Sequence, residues 1–120
     1  MTETSATFAD ANLQRGLDLL SAGSASQAAE AFRAAIESNP ALFEAHHGLV
    51  RALRDAGDLN GAIGAALALV ALTPNDPLAH AALSITLQHA GRIPEAESAA
   101  ARARILEWKM QLQSPADEAP

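Results

Sequence analysis

Apolar, small and turn-forming residues return along this chain at a fixed offset of 34 residues. Leu19, Leu53 and Leu87 form one column, Ala11, Ala45 and Ala79 a second, and Ala28, Ala62 and Ala96 a third. Gly23, Gly57 and Gly91 coincide as well, each preceded by an alanine. Self-similarity at a period of about 20 to 50 residues marks stacked units, none of which can bury its apolar face alone. The glycines stand where a helix ends in a left-handed residue, which costs least without a Cβ. Pro40 and Pro74 share a column and stop the helices before them, because an interior proline loses a hydrogen bond and clashes with the preceding turn. The spacing predicts six helices, near 8–22, 25–38, 42–56, 59–72, 76–90 and 93–112.

Helix-start signals follow the glycines. Ser24 precedes Gln27 by three residues, a capping-box spacing, and Asp58 fills the same column as a second good N-cap. Arg92 breaks that column, although Pro94 suits a first helical turn. The alanines at 28, 62 and 96 open each second helix, where a larger side chain would overpack the contact with the first.

These columns resemble the tetratricopeptide repeat family over roughly residues 9–110. Gly16, Ala28, Phe32, Ala35 and Pro40 carry the pattern in the first repeat, Leu49, Ala62 and Pro74 in the second, and Leu83, Ala96 and Ala103 in the third. Asn12, His46 and His80 depart from it where the family often has Trp, and Ala66 and Ala100 stand in place of the large residue that Phe32 supplies. The resemblance implies an all-α, right-handed α-solenoid of three helix-turn-helix repeats over 7–112, at about 9–42, 43–76 and 77–110, and the polar ends at 1–6 and 113–120 are expected to be disordered tails.

The composition suits closely packed helices. Hydrophobic residues make up 49% of the 120 residues but aromatics only 3%, and 30 residues are alanine, the best helix former. A formal net charge of −6 repels a phosphate backbone, so nucleic acid is not expected as a partner. With no cysteine, disulfides, thiolate nucleophiles and zinc-thiolate sites are excluded together. Met1–Asp10 lacks the positive charge and apolar run of a signal peptide, and the stretch Ala62–Leu72 is too short to span a bilayer, so a cytoplasmic protein without membrane insertion is expected.

No nucleophile-and-base set or phosphate-binding glycine loop is present, and no cofactor or enzymatic activity is expected. The four histidines are the remaining candidates for chemistry. His46 and His80 are repeat-equivalent, which favours a shared packing role over convergence on one ion. Acidic pairs such as Glu95 with Glu97 read as solvated surface.

By the family resemblance, the first helix of each pair lines a concave groove that holds a segment of another protein. Its inward positions would be Leu13, Leu17 and Leu20, then His47, Arg51, Arg54 and Asp55, then Leu78, Ala81, Ile85 and His89: apolar at both ends and basic in the middle. Some members grip a chaperone's terminal carboxylate with Lys, Asn and Arg. The corresponding residues here are Leu13, Leu17, Gly48, Leu78 and Ala82, so the expected ligand is instead a peptide or amphipathic helix with apolar anchors. Trp108 takes the column of the closing prolines, so the last helix overhangs the stack. Ile105, Leu106, Trp108, Met110 and Leu112 form a second candidate interface there, for a partner or a homo-oligomer. An interaction module is the leading expectation, and a permanently assembled subunit that oligomerises through this helix the alternative.

Overall fold

The structure, a computed structural model, describes residues 2–113, with side chains from residue 7 onward. Six helices follow one another: α1 (Thr2–Ser21), α2 (Ala25–Ser38), α3 (Phe43–Asp55), α4 (Leu59–Leu72), α5 (Pro77–His89) and α6 (Ile93–Leu112), with no strand among the described residues. From α2 onward every boundary falls within one residue of the sequence-based expectation. The chain's start differs, since the backbone is helical from Thr2 where a disordered tail over 1–6 is expected. That stretch holds neither Gly nor Pro, and extending a nucleated helix costs little. Met1 and the tail expected beyond Gln113 lie outside the described residues.

The turn inside each pair is built the same way three times. Gly23, Gly57 and Gly91 adopt φ of 83°, 84° and 76°. The next residue's N–H then reaches back to the carbonyl of Leu19, Leu53 or Leu87, at 2.8, 2.9 and 2.9 Å. This is the Schellman closure, and it satisfies carbonyls that the helix end would leave bare.

The N-caps vary more. Asp58 accepts from the Gly61 N–H at 3.0 Å and Asp76 from the Leu78 N–H at 2.9 Å. Ser24 makes no side-chain cap, contrary to the capping box expected from Gln27. Its backbone angles nearly match those of Asp58, so the difference lies in where the side chain points and not in the backbone. Arg92 forms an ion pair with Glu95 on the first turn of α6 instead of capping it.

Each helix packs on the next, and α3 also touches α1 and α5, so the first helices of the pairs share an inner layer and the second helices an outer one. The first core cluster joins α2, α3 and α4 through Ala28, Ala29, Phe32, Ala35, Ala45, Ala52, Leu53 and Ala62. Phe32 is its largest member and is fully buried. Its ring lies between the backbones of α1 and α3: a Cβ on Gly16 would come within 2.6 Å of it, and one on Gly48 would collide outright. The second cluster, Ile63, Leu87, Ala96 and Ala99, has no aromatic residue and is supplemented by a buried hydrogen bond from the Ser84 hydroxyl to the Ala96 carbonyl at 2.8 Å.

The repeat-equivalent histidines do one job. The Nε2–H of His46 donates to the Pro40 carbonyl, and that of His80 to the Pro74 carbonyl, both at 2.8 Å. A carbonyl can only accept, which places the proton on Nε2 in each ring. Each histidine ties its helix to the proline that closes the preceding one.

Candidate functional site

The inner layer bounds a groove of about 550 Å³. Leu17 and Leu20 enter it from α1, Phe43, Glu44, His47, Gly48, Arg51 and Arg54 from α3, and Leu78, Ala81, Ala82 and Ile85 from α5. On α3 the contributing residues follow at steps of three and four, which keeps them on one helix face. Leu17, Phe43 and Ile85 are each just over 40% exposed and Leu78 is 62% exposed, so the apolar walls face outward and not into the core.

The basic centre is partly engaged. Arg51 Nε lies 3.9 Å from the Asp55 carboxylate, with both side chains largely solvated, an arrangement that adds little stability. Arg54 has no ion pair among the described residues. His47 packs edge-on against Phe43, with ring centroids 6.0 Å apart and planes at 77°. Its Nε2 is sealed from solvent without a hydrogen-bond partner. Burial holds the His47 pKa below its ordinary value, an effect that Asp76 partly offsets and His46 reinforces.

The structure thus brings together Leu17, Leu20, His47, Arg51, Arg54, Leu78, Ala81 and Ile85 of the residues expected from sequence. Leu13 is not among them: it packs half-buried against the first core cluster. His89 is exposed and donates from Nδ1 to the Ile85 carbonyl of its own helix at 2.9 Å, away from the groove. Asp55 reaches only Arg51. Phe43 and Glu44 were missed by sequence reasoning, although Phe43 stands four residues before His47 and eight before Arg51, on the stripe that sequence reasoning did identify.

At the other end of the stack, Ile105, Trp108, Met110 and Leu112 are 44 to 62% exposed. Leu106, expected beside them, is 5% exposed, because it follows Ala99 and Ala103 at steps of four and three and so turns into the stack. A smaller pocket of about 290 Å³ lies along this helix, lined by Asn75, Arg102, Leu106, Lys109, Met110 and Gln113. Among the described residues no group of His, Asp and Glu could hold a metal ion, and no helix is long and apolar enough to cross a membrane.

The repeated turns, the two-layer stack and the inner groove define a helical-repeat scaffold. The family profile described as tetratricopeptide repeat matches residues 13–77 and 47–108, and the chain belongs to that family. A search of curated proteins finds no significant sequence match. Among solved structures, MamA superposes with a TM-score of 0.80 at 22% identity, over 88% of this chain and 62% of that one. The second repeat domain of Spaghetti (RPAP3), bound to an HSP90 peptide, superposes with a TM-score of 0.78 at 16% identity over 88% and 96%. The CopN–Scc3 complex gives 0.75 at 19% over 82% and 58%. This chain spans about three fifths of the length of the MamA chain.

Proposed function

We propose that the chain is a protein-interaction module, an adaptor or assembly factor, that seats a segment of another protein in the groove between α1, α3 and α5. One observation carries this reading: the groove is walled by exposed Leu17, Phe43, Leu78 and Ile85 around the cations Arg51 and Arg54. Apolar walls supply anchor pockets, and a central cationic pair fixes register and favours an acidic group between the anchors. The similarly folded RPAP3 domain is bound to a peptide, which supports a peptide-holding role for this architecture. The chaperone-tail mode does not transfer, since Leu13, Leu17, Gly48, Leu78 and Ala82 offer no donor for a carboxylate.

Selection from a displayed random-peptide library tests the reading. The wild-type chain should enrich sequences with two large apolar residues flanking Asp or Glu. Leu17→Asp with Leu78→Asp should abolish the enrichment, and Arg51→Glu should move the central preference from acidic to basic. Enriched peptides that bind the double variant undiminished would refute the groove as the site.

A further inference from the structure

Helix α6 carries two apolar faces. Ala96, Ala99, Ala103 and Leu106 pack into the stack. On the opposite side Ala101, Ile105, Trp108 and Leu112 follow one another at steps of four, three and four, the spacing of a coiled-coil seam. At 100° per residue these four fall within about 60° of arc, a strict seam and not a broad apolar face. The earlier second helices do not carry the whole seam: the columns of Ala101, Ile105 and Trp108 hold Arg33, Glu37 and Pro40 in the first repeat, and Leu67, Ala71 and a helix-ending Pro74 in the second.

The columns through which the earlier second helices pack most closely centre to one side of the seam. Ala29 and Ile63 belong to the core and Ile36 packs beside it, while Val70 is half-buried and lines a pocket with Ile63 and Leu83. Their counterparts in α6 are the exposed charges Glu97 and Arg104. The face of α6 in line with those contacts therefore carries charges, while an apolar stripe stays bare beside it.

The charges that flank the stripe decide what fits on it. Arg102 and Lys109 occupy one flank, and Arg104 the other, in a chain whose net charge is −6. Arg102 and Lys109 also border the pocket floored by Leu106 and Met110. A second copy meets these cations with its own. The antiparallel register that buries Ile105 against Trp108 of the other copy sets Arg102 opposite Lys109, and a parallel register sets Arg104 opposite Lys109. The one attractive pair in the parallel case, Glu97 with Arg102, lies beside Ser98, where the seam has no apolar knob. Flanking charges select coiled-coil partners, so like charges in both orientations disfavour self-pairing.

We propose that the seam Ala101–Ile105–Trp108–Leu112 docks an amphipathic helix of another protein whose own seam is flanked by Asp or Glu. The apolar stripe packs against that helix while Arg102, Arg104 and Lys109 pair with its acidic flanks. This surface is independent of the groove, and both can be filled at once.

Trp108 is the only tryptophan and lies in the seam, so its emission reports occupancy directly. The probes are two synthetic helical peptides of about three heptads, with the same Leu and Ile seam and with either Glu or Lys on both flanks. The Glu peptide should shift Trp108 emission to the blue and bind more weakly as salt rises, and the Lys peptide should not bind. Arg102→Glu with Lys109→Glu should weaken the Glu peptide about tenfold and admit the Lys peptide. Ile105→Ser, which removes an exposed side chain outside the core, should abolish binding without changing helix content, and Leu17→Asp in the groove should leave it intact. Three results would overturn the proposal: equal binding or no binding of the two peptides, a blue shift with anionic phospholipid vesicles but not with the Glu peptide, or a concentration-dependent dimer that shifts Trp108 without any peptide.

Discussion

Gly48→Ala perturbs the tightest point of the core. The added methyl would strike three ring carbons of Phe32, which is fully buried and cannot swing toward solvent. Nor can the ring retreat toward α1, because the Gly16 backbone stands on its other side, close enough that a Cβ there would also clash. Overpacking of this kind costs about 1–3 kcal/mol. Against it stands the gain of about 1 kcal/mol that alanine brings over glycine inside a helix. Gly64 isolates that gain: it is an exposed interior residue of α4, and a Cβ there meets nothing within 4 Å. Gly64→Ala should therefore stabilise the chain by up to about 1 kcal/mol, and Gly48→Ala should lie about 1–3 kcal/mol below it. For a chain of this length that gap is roughly 4–12 °C in Tm. Thermal unfolding followed by circular dichroism measures both variants. In a Phe32→Leu background the smaller side chain should relieve most of the Gly48→Ala penalty. If Gly48→Ala proves as stabilising as Gly64→Ala, the ring is not clamped as described and the reasoning fails.

Two further outcomes follow from the caps and the groove histidine. Asp58→Ala removes the carboxylate that accepts from Gly61 and should cost about 0.5–2 kcal/mol in chemical denaturation, whereas Ser24→Ala, at a cap with no side-chain bond, should cost clearly less. Because folding lowers the His47 pKa, the folded state resists protonation. The stability tied to this residue is present above its unfolded pKa of about 6.5 and is lost as pH falls through the folded value. His47→Gln should accordingly flatten the decline of Tm on acidification below about pH 6.5, and identical slopes for variant and wild type would show that His47 is not the group responsible.

The fold was legible because each of its decisions is local and repeated. A glycine that must adopt positive φ, an alanine that must be small and a proline that must end a helix each leave one residue type at one offset, three times or twice over. The groove was legible only to the precision of helix phase. Phase puts Arg51 and His47 on one face, but it does not say that Leu13 will pack against the core and not into the groove, or that His89 will turn back on its own helix. Leu106 was within reach of phase, since it continues the stripe of Ala99 and Ala103 although its neighbours in sequence are exposed. Asp76 could also have been read: an acidic residue directly before Pro77 has the composition of a cap followed by a first-turn proline.

The aromatic wedge at Phe32 has no equivalent further along, since Ala66 and Ala100 hold its column. In a linear stack each unit is steadied only by its neighbours, so the strength of the chain is graded from one end to the other. Amide exchange would see this as a direction of opening, with the α5–α6 pair releasing its protons before α2 and α3 do. The gradient also has a meaning in time. The best-packed pair precedes the weaker ones along the chain, so during synthesis it offers a finished surface on which each later pair can fold as it emerges.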